Sequence, residues 1–507
     1  MTLLLPKASA AGADMISGDM DSDIVLHPTR LFTELDAYLA EDREVRKLDT
    51  AWSLSSSRQE RDRQIDQSLR HAIRSFAARW LHLVPHAKEA LSSHEDIVRE
   101  LWRATRRDML KVINRVSYRS VLTLFLFGLT PIPVGISEEE EMDGLTGQIC
   151  VQTALQQVQR LRERQRNYQF NGTKVSLGSD VFSSPAPTST FTRSFLSSES
   201  RAYWAALIID TSASLTLNFR SSLTSGLHGV HAESSWRVLK MGTGSFHTRT
   251  QEWRQGTVPM TDDMVTQVIA AASAGNVYML KMIAVLKEAL REGYEDDKVA
   301  EAWTSCLKAM EIFKVTFRPL VNLCERRLPL LGEAERLNWY ELMLHQHLGV
   351  LLLVDGVEAA ERTDLLSQLR EAQLDAERDL LDVIRIGLES TYTIRGPEGP
   401  MSGEETPAVL SASFVAVDPY PHHMVAAVQL MNKAVGREYK QGRITFETYK
   451  SLKQILLRTL EELPQTSKSV EATRRELGAS VAELDRLLDD KSMLSEVVRR
   501  QPQHPAT

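Results

Sequence analysis

The sequence predicts an all-α protein, and three observations carry that prediction. Apolar residues recur at spacings of three and four along most of the chain. Glycine and proline are sparse, at 25 and 18 of 507 residues, below the usual ~7% and ~5%. Threonines followed by aspartates stand where the helical pattern begins, supplying cap oxygens and negative charge to exposed N–H groups. Hydrophobic residues at 43% and charged residues at 25% exclude a wholly disordered or fibrous chain. A formal charge of −7 excludes a generally basic nucleic-acid binder.

Residues 1–27 are small and polar, without apolar period, and are expected to be disordered. From Pro28, Leu31, Leu35, Tyr38 and Leu39 share one helical face, and Ile65, Leu69, Ile73, Phe76 and Trp80 share another. Glu95 to Phe127 reads as one helical segment with Trp102, Met109, Val112, Ile113 and Val116 inward, stopped by Pro131 and Pro133. An acidic run, Glu138 to Glu141, precedes a helix over Thr153 to Tyr168. Residues 28–177 thus form an N-terminal helical part, and residues 178–199 a Ser/Thr/Pro-rich insert that marks the main internal boundary. The main helical part, 200–464, is predicted to hold helices over Ser200 to Leu217, Thr261 to Gly293, Lys298 to Cys324, Gly332 to Val357 and Thr363 to Leu388. Thr261 and Thr363 are its expected caps. After a Gly/Pro/Glu loop from Gly396 to Pro407 and a weakly alternating stretch from Ser411 to Val417, helices are expected over His422 to Lys433 and Thr445 to Leu463. A C-terminal helix and tail fill 465–507, where Leu477, Val481, Leu484 and Leu488 make a short heptad seam for packing on the same domain or for a homodimer.

Three scattered cysteines, Cys150, Cys306 and Cys324, offer neither a disulfide framework nor a C-x-x-C knuckle. The start lacks the basic and long apolar regions of a secretory signal, the Val121 to Ile136 stretch is too short and proline-broken to span a bilayer, and the sequon Asn171-Gly172-Thr173 is read as fortuitous. Arg99, Arg103, Arg107, Lys111, Arg115 and Arg119 put a cation at every fourth residue, read as a solvated stripe neutralised by nearby acids. His345 and His347 lie two apart and face different ways, unsuited to share a metal, and His422-His423 is assigned to a surface or cap. Gly242 to His247 imitates half a dinucleotide loop but lacks the final glycine and the flanking strands. No P-loop, G-x-S-x-G elbow or kinase signature occurs, so no catalytic, cofactor-binding or metal-ligating residue is assigned.

The stretch Glu199-Ser-Arg201-Ala-Tyr203-Trp204-Ala-Ala-Leu207-Ile208-Ile209-Asp210-Thr-Ser212-Ala-Ser214 is the most informative. Asp210 follows an apolar run, where a carboxylate needs a hydrogen-bond or cation partner. The pattern of Arg201, Trp204, Asp210 and Ser214 resembles the signature helix of the fungal-specific transcription factor domain, the regulatory middle region of fungal zinc binuclear cluster regulators. Tyr118-Arg119-Ser120-Val121 with Pro131-Ile-Pro-Val-Gly135, Ser221-Ser-Leu-Thr-Ser-Gly226, Cys324-Glu-Arg-Arg327 with Leu337-Asn-Trp-Tyr340, and Asp418-Pro-Tyr-Pro-His-His423 follow in the same order as in one subgroup of these regulators. The resemblance covers most of residues 28–470 and implies an all-helical domain, nuclear localisation and control of transcription.

Full-length members carry a six-cysteine cage for two zinc ions, which this chain's three cysteines cannot build. The expectation is therefore a nuclear regulator without its own zinc cluster. Its partners would be the transcription machinery or a related zinc-cluster regulator, with a small-molecule effector; DNA contact would need a module upstream of Met1, and no membrane is expected. Two alternatives stand beside it: an accessory protein that heteromerises with a full-length zinc-cluster regulator, and a helical enzyme of secondary metabolism with a pocket near Asp210.

Overall fold

The computed structural model describes residues 28–46, 53–83, 91–168, 192–395, 409–418 and 421–499. The expected disordered start, the sequon, most of the Ser/Thr/Pro-rich insert and the Gly/Pro/Glu loop lie outside the described residues.

The architecture is all-α. The first helices are α1 (Pro28–Arg46), α2 (Ser53–Ala78), α3 (Leu91–Val112), α4 (Tyr118–Leu129), α5 (Glu138–Met142) and α6 (Gly147–Tyr168). The segment expected as one helix from Glu95 is two, broken after Val112, with Ser117 accepting from Ser120 N to start α4 afresh. Apolar on nearly every face, α4 is buried by α1, α2, α3 and α6.

Arg119 shows how that burial is fixed. Its guanidinium reaches Asp36 at 2.9 Å, Asp66 at 2.6 Å and Asp62 at 3.3 Å, while Asp36 also accepts from the N–H groups of Tyr118 and Arg119. One side chain thus holds α1, α2 and α4 together. Replacing Arg119 with alanine leaves Asp36, 9% exposed, without its cation, and is expected to lower unfolding free energy by about 3 kcal/mol. Arg119→Lys should recover only part, because one ammonium cannot serve three carboxylates; a urea-melting midpoint unchanged in both variants would refute this. Four other stripe cations are held by this chain as well: Arg103 by Glu100 and Glu140, Arg99 by Glu95 and Asp96, Lys111 by Asp108 and Arg115 by Gln64, while Arg107 is exposed. The acidic run, capped by Ser137 as α5, supplies Glu140 to Arg103 and Glu141 to Lys468.

The second part begins earlier than expected, with α7 (Arg193–Thr216) capped by Thr192. Then come α8 (Gly226–Ala232), α9 (Ser234–Arg249), α10 (Gln251–Arg254), α11 (Asp262–Arg291), α12 (Asp296–Thr316) and α13 (Arg318–Glu325). Gly242 to His247 is an interior stretch of α9, a helix the sequence reading did not assign. The stretch expected as a single helix from Lys298 breaks at Phe317, because Pro319 cannot continue a helix and starts α13 instead. Thr261 caps α11 as expected. Among the described residues this helix, and not Val121 to Ile136, is the one long and apolar enough to cross a membrane, yet 78% of its most apolar window is buried among neighbours. At Gly275 a Cβ would stand 2.3 Å from the Phe317 ring, so only glycine lets Phe317 pack there.

The remaining elements are α14 (Glu333–Ala359), α15 (Thr363–Glu389), β1 (Thr391–Arg395), β2 (Val409–Ser413), α16 (Phe414–Val417), α17 (Pro421–Lys440), α18 (Phe446–Glu462) and α19 (Lys468–Arg499). The cap of α15 is Arg362, with Thr363 the first helical residue, which corrects the expected cap. The strands pair antiparallel, Thr391 opposite Ser413, a small hairpin on a helical body. The segment Ile132 to Val134 bonds to Thr466 and Lys468, tying the proline stop after α4 to the start of α19. One contiguous apolar core runs through residues from Leu31 to Leu477. Leu477 and Val481 of the heptad seam are buried against this body; the side chains of Leu484 and Leu488 are outside the described set.

Candidate functional site

Helix α7 carries the four signature residues and presents two chemically different faces. On one, Trp204 packs edge-to-face on Trp236 with ring centroids 5.3 Å apart. Asp210, 3% exposed, accepts hydrogen bonds from Ser221 Oγ, from Ser222 N at 2.8 Å and from Leu223 N at 3.1 Å. Lys281 Nζ of α11 donates to the same Ser221 Oγ at 2.7 Å. Burial pushes the Lys281 ammonium down to about 8, against the opposing pull of Asp210 and Glu288. Glu288 is buried in turn, accepting from Ser225 Oγ with Arg220 3.4 Å away. Asp210 therefore has both partners a buried carboxylate needs, and the turn at Ser221 to Gly226 exists to supply them. Ser214 lies one helical turn further on, also buried, and Arg201 is partly buried nearer the start of α7. Trp204 and Asp210 fasten the helix to its neighbours, and none of the four lines the cavity on the other face.

The other face of α7 looks into a cavity of about 530 Å³. Its walls come from α7, from Asn276 and Leu280 of α11, from His345 and Leu348 of α14, from the end of α4 and from the first residues of α17. Most of the lining is apolar, and among the described residues the one charged lining residue, Glu141, is paired with Lys468 at 2.9 Å.

A hydrogen-bond chain crosses this wall. Ser212 Oγ lies 2.8 Å from His423 Nε2, and His423 Nδ1 lies 3.0 Å from His345 Nε2. The tautomers of the two rings decide which atom of each pair carries the proton. Burial pushes His423 well below the ordinary histidine value, His345 below it, and His422 down to about 4, helped by Arg79. All three are neutral at physiological pH. Beneath them Glu341, 1% exposed, is pushed up to about 8 by burial and by the neighbouring Asp418.

This constellation corrects the assignment of His422-His423 to a surface or cap: His423 is 7% exposed and forms part of the cavity wall. His345 and His347 do face different ways, His347 meeting Arg318 and Asp379 instead. Sequence reasoning missed Ser212, His345, His423 and Asn276 as a group because they come from α7, α14, α17 and α11; the available signal was a lone polar residue on each of several apolar helices. The three cysteines are buried free thiols, pushed up to about 12 by burial. Among the described residues no group of three or more His, Cys, Asp or Glu side chains is placed to hold a metal ion.

No model of a known protein family matches the chain, and no curated protein matches it. Among solved structures it is similar to a circular tandem repeat protein with novel repeat topology and enhanced subunit contact surfaces, at 11% identity over 98% of this chain and 97% of that one, with a TM-score of 0.24.

Proposed function

We propose that the chain is a fungal nuclear transcription regulator of the fungal-specific transcription factor domain type, acting through an effector or a protein partner and without a zinc cluster of its own. The observation that carries this reading is that two motifs of the resemblance interlock: Asp210 of the signature helix is held by Ser221, Ser222 and Leu223 of the second motif. The cavity on the opposite face of the same helix gives an effector a place from which to act on it.

The test is a fusion of residues 1–507 to a heterologous DNA-binding module in a fungal host. The expected result is nuclear accumulation and a reporter level severalfold away from that of the module alone, with the purified unfused chain showing no operator preference at physiological salt and no stoichiometric zinc. A reporter level equal to the module alone, or tight specific DNA binding by the unfused chain, overturns it.

One observation favours a second reading, an enzyme. The Ser212, His423 and His345 chain has the connectivity of an activated serine nucleophile. Against it, Ser212 lies in the interior of α7, where the helix's own hydrogen bonds occupy the neighbouring N–H groups and leave no backbone donors for an oxyanion. Hydrolysis of p-nitrophenyl acetate that disappears in Ser212→Ala would favour the enzyme.

A further inference from the structure

We propose that the cavity between α7, α11, α14 and α17 is a binding site for a neutral, largely apolar molecule bearing a hydroxyl group, which hydrogen-bonds Ser212 on the cavity wall.

Volume sets the first bound. About 530 Å³ falls in the range that encloses most of a drug-sized molecule. Charge sets the second: the interior wall carries neutral histidines, amides, hydroxyls and apolar groups, while Glu141, its side chain 32% exposed, is already paired with Lys468. A charged ligand would lose its hydration there without meeting a counter-ion.

The hydrogen-bonding capacity left over sets the third. Four lining hydroxyls are spent on their own helices: Thr130 on Leu126 O, Thr211 on Leu207 O, Thr216 on Ser212 O and Ser273 on Ile269 O. Ser212 departs from this pattern: its Oγ lies 2.8 Å from His423 Nε2, across the cavity wall. A hydroxyl has one proton and two lone pairs, so this single contact leaves Ser212 Oγ with capacity for a ligand hydroxyl, a group that both donates and accepts. One such hydroxyl on an apolar, uncharged wall selects a hydroxyl on an apolar frame.

As the effector site of the regulator proposed above, the site rests on that reading, but binding to the purified full chain is measured without transcription. Bound probe with a silent reporter therefore sinks the regulator and supports the site. The probes are 1-hydroxypyrene, pyrene and 1-pyrenesulfonate, followed by their own fluorescence. Expected is binding of 1-hydroxypyrene about tenfold tighter than pyrene, with 1-pyrenesulfonate weakest. Ser212→Ala should cut 1-hydroxypyrene affinity several-fold, removing the hydroxyl preference, while leaving pyrene unchanged. Ala213→Trp, which fills the cavity from α7, should abolish binding of all three probes while retaining the helical circular dichroism of the parent. Equal affinity for 1-hydroxypyrene and pyrene, preference for the sulfonate, or no binding overturns the proposal on the unaltered chain, whatever the variants do.

Discussion

Replacing Asp210 with alanine is expected to lower the unfolding free energy by about 4 kcal/mol, read from urea midpoints at neutral pH. Two losses combine. Ser221 Oγ, Ser222 N and Leu223 N lose their common acceptor; Ser221 is buried and Leu223 half-buried, so a donor left unpaired there costs about 1–3 kcal/mol. Lys281, fully enclosed and still carrying its charge at pH 7, loses an adjacent anion, and breaking one side of a buried pair costs about 3–5 kcal/mol. These overlap, since Lys281 reaches Asp210 through Ser221 Oγ, so the total stays near the single-pair figure. Asp210→Asn keeps the shape and an acceptor oxygen but not the charge; it should cost about half as much and push Lys281 further down. Combining Asp210→Ala with Lys281→Met should restore part of the loss, because the second change removes the uncompensated cation. A single-variant loss below about 1 kcal/mol would show that the turn at Ser221 does not depend on the carboxylate.

Much of the fold is legible in the sequence because it is set locally. Thr261 and Thr445 cap helices where the pattern starts, and Leu31, Leu35, Ile65, Leu69 and Trp102 lie buried where their spacing puts them. The failures have local causes too. Phe317 lies between two helices because Pro319 resets the hydrogen-bond ladder while the apolar spacing runs on unbroken. The helix over Ser234–Arg249 was hidden by glycines and serines of low helix propensity, and it forms because Trp236, Leu239 and Phe246 are buried against α11 and its neighbours. A pocket near Asp210 could be raised as an alternative, but the polar wall of the cavity could not be read. His423 meets His345 78 positions away and Ser212 211 positions away, and nothing in the spacing of one helix reveals a contact made across three. Asp210 could be flagged as needing a partner, since burial of a carboxylate is costly wherever it occurs; which groups would answer it could not.

On acidification from pH 6.5 to 5, His347→Gln is expected to lose about 2 kcal/mol less stability than the parent, and His423→Gln is expected to lose less than the parent as well. His347 is 2% exposed and His423 7%. Burial, reinforced by the Arg318 charge, holds His347 down to about 3, and burial with His422 and His345 alongside holds His423 well below its ordinary value of 6.5. In the unfolded chain both titrate near 6.5. Between that pH and the folded values the unfolded state binds more protons, so stability is fully present above pH 6.5 and is lost as pH falls, at about 1.4 kcal/mol per unit for each histidine. Glu341 works with the opposite sign: raised to about 8, it favours the folded state as pH falls through 8 toward 4.5 and offsets part of the parent's loss. Parent and variants share that offset, which is why the difference between their curves isolates the histidines. Parallel curves would mean that the two rings are already solvated. The same burial that makes the fold acid-sensitive keeps His423 neutral and paired with Ser212. The affinity for 1-hydroxypyrene should therefore stay flat between pH 6 and 7.5, while an anchor made by an exposed histidine would weaken or strengthen through its titration in that interval.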